Sequence, residues 1–291
     1  MSLSKSDLSH LLEVAKSAAT AAGEYIQSQF DSEHLQQRKL GGDSAASQVV
    51  TEVDFNAQEI ILDQLKDSIE ANDFGLLSEE LKDDQSRLQK EYFWCIDPLD
   101  GTLPYSEHRT GYAVSIALIS KVGTPVIGVV YVPDLRQCFA AYTGSGVFLN
   151  DQPFVRTQGD EILHFYMDRS FLSMPDYSTI KRRFEQRVEG STHIEFHSDY
   201  GGVRNAIGVI ESCKACYFKF PKPADGCGSI WDYAATHLLM QELELPVSNA
   251  QGERLDLNYA ESTFMNRQGI LYATDQDLQR IIVELNESIS S

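Results

Sequence analysis

Two aspartates stand three positions apart in Trp94-Cys95-Ile96-Asp97-Pro98-Leu99-Asp100-Gly101-Thr102, where an apolar run ends. Pro98 fixes its own φ, and Gly101 lets the backbone come close to a ligand. Two carboxylates fanned around one turn can share or bridge divalent cations, and all-oxygen ligands favour Mg2+ or Mn2+ over zinc or copper. The same wording is also an ordinary turn signature. Other acids keep it company. Leu76-Leu77-Ser78-Glu79-Glu80 is an apolar run ending in two acids, Asp54 heads a helical stretch after Val50-Thr51, and Asp232 follows Trp231 at the start of another. Each has a plain alternative: a solvated acid pair for the glutamates and a helix N-cap for each aspartate.

The elements that must hold these residues are readable from periodicity. Leu8, Leu11, Leu12, Ala15, Ala18, Ala19, Ala22, Tyr25 and Ile26 form one apolar stripe, which predicts a long opening helix capped by Ser6 or Asp7. A polar loop is expected over 36–47, then a second helix from Asp54 with apolar residues at 57, 60, 61, 65 and 69. Short runs rich in β-branched and aromatic residues at 93–96, 112–119, 126–132, 138–142 and 147–149 predict an antiparallel sheet. Beyond residue 163, strand-like 164–167 and 193–196 alternate with helix-like 178–189, 203–213, 231–241 and 275–285. The expected division is 1–150, an α+β subdomain carrying most of the metal ligands, and 151–291, an α/β subdomain supplying Asp232 and substrate contacts.

Taken in order, these segments resemble the inositol monophosphatase family. Val50-Thr51-Glu52-Val53-Asp54 is similar to the family's V-T-x-x-D, Leu77-Ser78-Glu79-Glu80 to its (G/S)-E-E, and Trp94 through Thr102 to its W-x-x-D-P-(I/L)-D-G-T. Gly144-Ser145-Gly146 with Asn150-Asp151 resembles its G-x-G-x-x-x-N-(G/D) turn, and Trp231-Asp232-Tyr233-Ala234-Ala235 its W-D-x-A-A. The resemblance implies a five-layered α-β-α-β-α sandwich of the inositol monophosphatase and fructose-1,6-bisphosphatase type. It implies Glu79, Asp97, the Leu99 carbonyl, Asp100 and Asp232 as ligands of two or three Mg2+ ions, with Mn2+ as a substitute. Asp54, Glu79 and Thr102 become the residues that orient and deprotonate a water. Gly101, Thr102, Gly201, Gly202 and Lys219 become substrate contacts.

The chain departs from the family pattern in places. Leu103-Pro104-Tyr105 replaces the usual N-F, and Glu242 is followed by Leu243-Glu244-Leu245-Pro246 where a glycine pair is usual. Tyr217-Phe218-Lys219 replaces the Y-Y-E of inositol-specific members. A lysine there suggests a second negative group on the substrate; an exposed, solubilising lysine is the plain alternative, and Arg204 is a further cationic candidate. Lys219, and His237 after Trp231-Asp232, look closer to the 3'(2'),5'-bisphosphate nucleotidases, whereas residues 144–153 look like the inositol and sugar phosphatase branch.

Bulk composition narrows the partners. The 291 residues are 42% hydrophobic, enough for a substantial core, and 43 acids against 24 bases give a formal charge of −19. Such a surface repels nucleic acid and anionic lipid, so an anionic substrate needs a local positive centre, which bound cations can supply. No run of 18 apolar residues and no leader-like start is present, and five cysteines lack framework spacing. Cys213 and Cys216 have C-x-x-C spacing without a second pair, and the seven histidines read as scattered. The expectation is a cytoplasmic, possible homodimeric Mg2+-dependent phosphomonoesterase acting on an inositol, sugar or polyol phosphate. The alternatives are a nucleotidase acting on 3'-phosphoadenosine 5'-phosphate and a non-catalytic regulatory binding protein.

Overall fold

A computed structural model of the chain describes residues 3–32, 36–38, 49–156, 159, 162–188 and 193–290. The elements in order are α1 (Lys5–Gln29), β1 (Gln36–Arg38), β2 (Val49–Thr51), α2 (Glu52–Asn72), β3 (Gly75–Ser78), β4 (Tyr92–Asp100), α3 (Thr102–Ser106), β5 (Ala113–Ser120), β6 (Pro125–Val132), β7 (Gln137–Tyr142), β8 (Phe148–Leu149), β9 (Gln152–Pro153), β10 (Leu163–Tyr166), α4 (Tyr177–Arg187), β11 (Ile194–His197), α5 (Gly202–Glu211), β12 (Lys214–Lys219), α6 (Ile230–Glu242), β13 (Val247–Ser248), β14 (Ile270–Ala273) and α7 (Gln276–Ser290). No helix among the described residues is long and apolar enough to cross a membrane.

Two sheets organise these elements. The larger runs β3-β4-β5-β6-β7-β8-β9, antiparallel except for the parallel β3–β4 pair. The smaller runs β11-β10-β12-β14-β13; its first three strands are parallel, and β14 and β13 run against their neighbours. Helices α1 and α2 cover one face of the large sheet. Helices α5 and α6 fill the space between the sheets, and α4 and α7 cover the outer face of the small one. The order is α-β-α-β-α. Each apolar stripe or sheet face is buried against the next layer, and three cores result, the middle one packing α5 and α6 against both sheets.

Several sequence expectations are corrected. The α1 cap is Ser4, and Asp7 closes its capping box from the third helical position. The loop expected over 36–47 includes strand β1, and 39–47 lie outside the described residues; the end of the 178–189 helix does too, α4 being described to Arg187. Strands β12 and β14 had no counterpart in the sequence reading. The unusual continuation after Glu242 is architectural: Glu242 accepts from the Gly144 and Gly146 amides at 2.7 and 2.8 Å, and Leu245 is buried in the middle core.

Candidate active site

Residues 97 and 100 would face opposite sides of a regular strand, because side chains alternate. Here Asp97 pairs with Ser115 and Asp100 with Ala113, so one extra residue of β4 is absorbed between them. Pro98, which has no N–H to give the ladder, lies in that bulge. The slip turns both carboxylates to one side. The Leu99 amide donates to Asp97 Oδ1 at 3.1 Å and fixes the turn. Glu79 follows β3, and its amide donates to the Ile96 carbonyl at 3.1 Å, which carries the β3–β4 pairing up to the cluster. Asp97 lies beside Glu79 and Asp232, close enough for their charges to act on it.

Asp54 and Asp232 arrive by one device. The sequence allowed each as an N-cap; the caps are Thr51 and Ser229, and the aspartates occupy the third helical position of capping boxes. Asp54 Oδ2 accepts from the Thr51 amide and hydroxyl at 2.8 and 2.6 Å, and Asp232 Oδ2 accepts from the Ser229 amide at 2.6 Å. In each carboxylate the other oxygen is left for other work. Asp54 Oδ1 lies 2.9 Å from Thr102 Oγ1, which is 3.1 Å from the Leu99 carbonyl. One ligand oxygen from each of Asp97, Asp100 and Asp232 falls within 4.8 Å of the others.

Gly201 and Gly202, expected as small pocket residues, do line the cavity, but their main neighbour is Asp100. The Gly202 and Val203 amides at the start of α5 donate to Asp100 Oδ1 and Oδ2 at 3.0 and 2.8 Å. A Cβ on Gly201 would sit 2.3 Å from Asp100 Oδ2 and 2.8 Å from the Gly101 Cα. Gly201→Ala is therefore expected to push Asp100 aside and weaken whatever divalent-ion binding the cluster has by about 10-fold or more, a loss of about 1.4 kcal/mol. Calorimetric titration with Mg2+ checks this; unchanged affinity would refute the packing argument.

The carboxylates form the floor of a cavity of about 320 Å3, whose wall includes Gly101, Thr102, Leu103, Pro104, Asp168, Asp199, Tyr200, Lys219 and Trp231. Tyr105, standing for the family's aromatic, is buried and donates to the Ile26 carbonyl at 3.0 Å. Lys219 is neither an exposed lysine nor an unpaired cation. Its side chain is 14% exposed and forms an ion pair with Asp168, which also accepts from Tyr217 at 2.8 Å. Burial alone would lower the Lys219 ammonium, but Asp168, Tyr233 and Asp232 outweigh it and hold the group well above the ordinary lysine value. Arg204 lies outside the wall: it pairs with Glu211 at 2.8 Å and rests over the Tyr200 ring. His237 is buried within α6 and does not reach the cavity. Cys213 is exposed and Cys216 buried, both free.

The cluster is short of positive charge. Burial first, then the neighbouring acids, raises the Asp97 and Asp100 carboxyls well above their ordinary value. Burial and Glu79 push Asp232 up to about 6 despite Lys219 and the Ser229 amide. Asp54 also reaches about 6, chiefly through burial. Two of the basic side chains in the wall are already spent, Lys219 on Asp168 and Arg169 on both oxygens of Glu107 at 2.7 and 2.8 Å. Carboxylates packed this closely stay ionised together only around cations of higher charge, and their oxygen-only chemistry fits hard divalent ions.

A layered α-β-α-β-α sandwich with converging carboxylates beneath a cavity has the donor set for divalent ions acting on a small molecule. The model of the inositol monophosphatase family matches residues 7–290, and the chain belongs to that family, whose members are metal-dependent phosphatases of phosphate monoesters. An inositol-1-monophosphatase of Synechocystis sp. is 36% identical over 151 residues, 52% of this chain and 50% of that relative, so the match spans half of its length. A Neisseria meningitidis protein described as a putative Nus factor SuhB is 28% identical over 214 residues, 72% of this chain and 76% of its own. An IMPase of Thermotoga maritima superposes with a TM-score of 0.72 at 19% identity, covering 96% of this chain and 99% of that one, which establishes the fold.

Proposed function

We propose that this protein is a Mg2+-dependent phosphomonoesterase hydrolysing a small inositol, sugar or polyol monophosphate in the cytoplasm. The observation that carries the reading is the Asp97, Asp100 and Asp232 cluster, starved of positive charge at the floor of the cavity. Glu79, Asp97, the Leu99 carbonyl, Asp100 and Asp232 would hold two or three Mg2+ ions, or Mn2+ in their place. Bound, such ions neutralise the phosphate and the departing oxygen and make a water acidic. The chain's own part is the proton. Thr102 Oγ1 donates to Asp54 Oδ1, which leaves its lone pairs to take a proton from a water in the cavity while its own passes to Asp54. Glu79 is the second acceptor. Gly101 and Thr102, opening α3 at the cavity wall, would offer their amides to the phosphate.

The Lys219–Asp168 pair bears on the substrate. With Lys219 neutralised inside the wall, that lysine is not available to a second phosphate, which favours a monophosphate with hydroxyls to offer over a bisphosphate nucleotide. Lys219 then acts by holding Asp168 rather than by meeting an anion. The proposal also keeps 1–150 and 151–291 as two subdomains meeting at the site, supported by a first sheet ending at Pro153 and a second beginning at Leu163. A homodimer is part of it, testable by light scattering.

The deciding experiment is phosphate release with Mg2+ from inositol 1-phosphate and from 3'-phosphoadenosine 5'-phosphate, with Asp97→Asn as control. Preferred turnover of the first, abolished by the variant, supports the reading. Preferred turnover of the second assigns the nucleotidase instead. Release no greater than the variant's, across a sugar-phosphate panel too, would leave the regulatory role suggested by the Neisseria relative's description.

A further inference from the structure

Two of the histidines that look scattered in the sequence meet in the fold. Strands β10 and β11 run parallel with His164 beside Glu195 and Tyr166 beside His197. Alternation puts all four side chains on one face, while Leu163 and Phe165 turn to the outer core. His164 Nδ1 lies 3.0 Å from His197 Nε2 and 3.6 Å from Glu195 Oε2. The face is open at this sheet edge: His164 is 21% exposed and Glu195 44%. One ligand atom from each of the three lies within 4.8 Å of the others, and none belongs to the carboxylate cluster.

We propose that His164, Glu195 and His197 form a second metal site, separate from the carboxylate centre, for a first-row transition ion of the zinc class. The donor set decides the class. Two imidazoles and one carboxylate suit Zn2+, Co2+ or Fe2+, whereas Mg2+ takes oxygen ligands and leaves imidazole alone. The spacing is right. Two metal–nitrogen bonds of about 2.0–2.1 Å at a tetrahedral angle set the nitrogens about 3.4 Å apart. The observed pair needs only a few tenths of an ångström of opening. The ring centroids are 5.2 Å apart and the nitrogens face each other, so the two rings share a hydrogen bond when no ion is between them. On binding, each ring turns slightly and the shared hydrogen moves to the outer nitrogen of its own ring, Nε2 in His164 or Nδ1 in His197. Both inner lone pairs then face the ion, and no proton need leave. Tyr166 stacks on His197 at 4.7 Å and limits the ring's rotation.

The placement gives the ion something to act on. Directly after His197, Ser198, Asp199, Tyr200, Gly201 and Gly202 line the catalytic cavity, and Asp100 accepts from the Gly202 amide. An ion joining β11 to β10 would fasten the strand from which that loop departs.

Metal-stripped protein in excess Mg2+, which occupies the oxygen ligands, is titrated with Co2+ and followed by visible absorption. The expected result is one Co2+ per chain with the intense bands of a tetrahedral-like site, displaced by Zn2+. His164→Ala and His197→Ala should each weaken it by at least about 100-fold, and Glu195→Gln by about 10-fold. Circular dichroism and the melting temperature without Co2+ report whether each variant folds; should an alanine variant unfold, His164→Gln and His197→Gln carry the same expectation. Co2+ bands absent from the wild type, or undiminished in folded histidine variants, would overturn the proposal.

Discussion

Asp97→Asn should abolish Mg2+-dependent phosphate release, by about 10³-fold or more, and raise the melting temperature of the metal-free protein at the same time. The two effects share one cause. Asp97 is buried against Glu79, Asp232 and Asp100, and its ionised form is tolerable only with cations present. Asparagine keeps the Oδ1 that accepts from the Leu99 amide, so the turn survives, while the charge that repels its neighbours is gone. A gain on the order of 1–3 kcal/mol is reasonable for relieving one such charge, or a few degrees in a chain of this size. The pH dependence has a definite sign. A carboxyl whose folded pKa stands above its unfolded 3.8 makes the folded state bind the extra proton, so stability falls as pH rises from there through about 6 for Asp54 and Asp232 and further for Asp97 and Asp100. Metal-free wild type should therefore melt lower near pH 8 than near pH 5, and Mg2+ should raise its midpoint more at the higher pH. A variant less stable than wild type without metal would show that the cluster is not under this tension.

The second large effect is expected at Thr102. Thr102→Ala removes the hydroxyl that donates to Asp54 at the cavity wall, and on the proposed relay kcat should fall by about 10²–10⁴-fold with Mg2+ affinity little changed. Thr102→Ser restores the hydroxyl and should recover most of the rate. Asp54→Asn keeps an acceptor for the Thr51 cap but cannot accept the relayed proton, so its kcat should fall with that of Thr102→Ala. The double variant should lose little more than either alone, because the two residues act as a unit. Near-wild-type kcat in folded Thr102→Ala would refute the relay.

The sequence made the metal motif and the large sheet legible because both are local. The bulge is announced by proline between two aspartates, and the strands by dense β-branched and aromatic runs. The helix starts differ from the sequence expectation by a few residues in one direction: Asp7, Asp54 and Asp232 each stand at the third helical position as partner of a Ser or Thr upstream, and local residue type alone does not separate that position from the cap. In Asp54 and Asp232 one oxygen serves the helix start and the other faces Thr102 or the carboxylate cluster, so a place in a capping box and a chemical role do not exclude each other. Lys219 was illegible because its partner, Asp168, lies on another segment and meets it only through β10–β12 pairing. His164 and His197 meet through β10–β11 pairing in the same way. Strand β12 is hard to see in the sequence because its four central residues are all buried, so the run lacks the alternation that marks a strand with one wet face.

The charge imbalance at the cavity floor also fixes a sequence of events. A phosphate ester approaching the chain alone meets Glu79, Asp97, Asp100 and Asp232, with the nearby Lys219 already neutralised by Asp168. Without cations those carboxyls, charged or protonated, offer the ester no positive partner. Cations are therefore expected to load before the ester: steady-state kinetics should show compulsory order, with apparent ester affinity rising as free Mg2+ rises. Glu79, Asp97, Asp100 and Asp232 would keep such ions through successive turnovers, and phosphate added as product should then compete with the ester rather than with Mg2+.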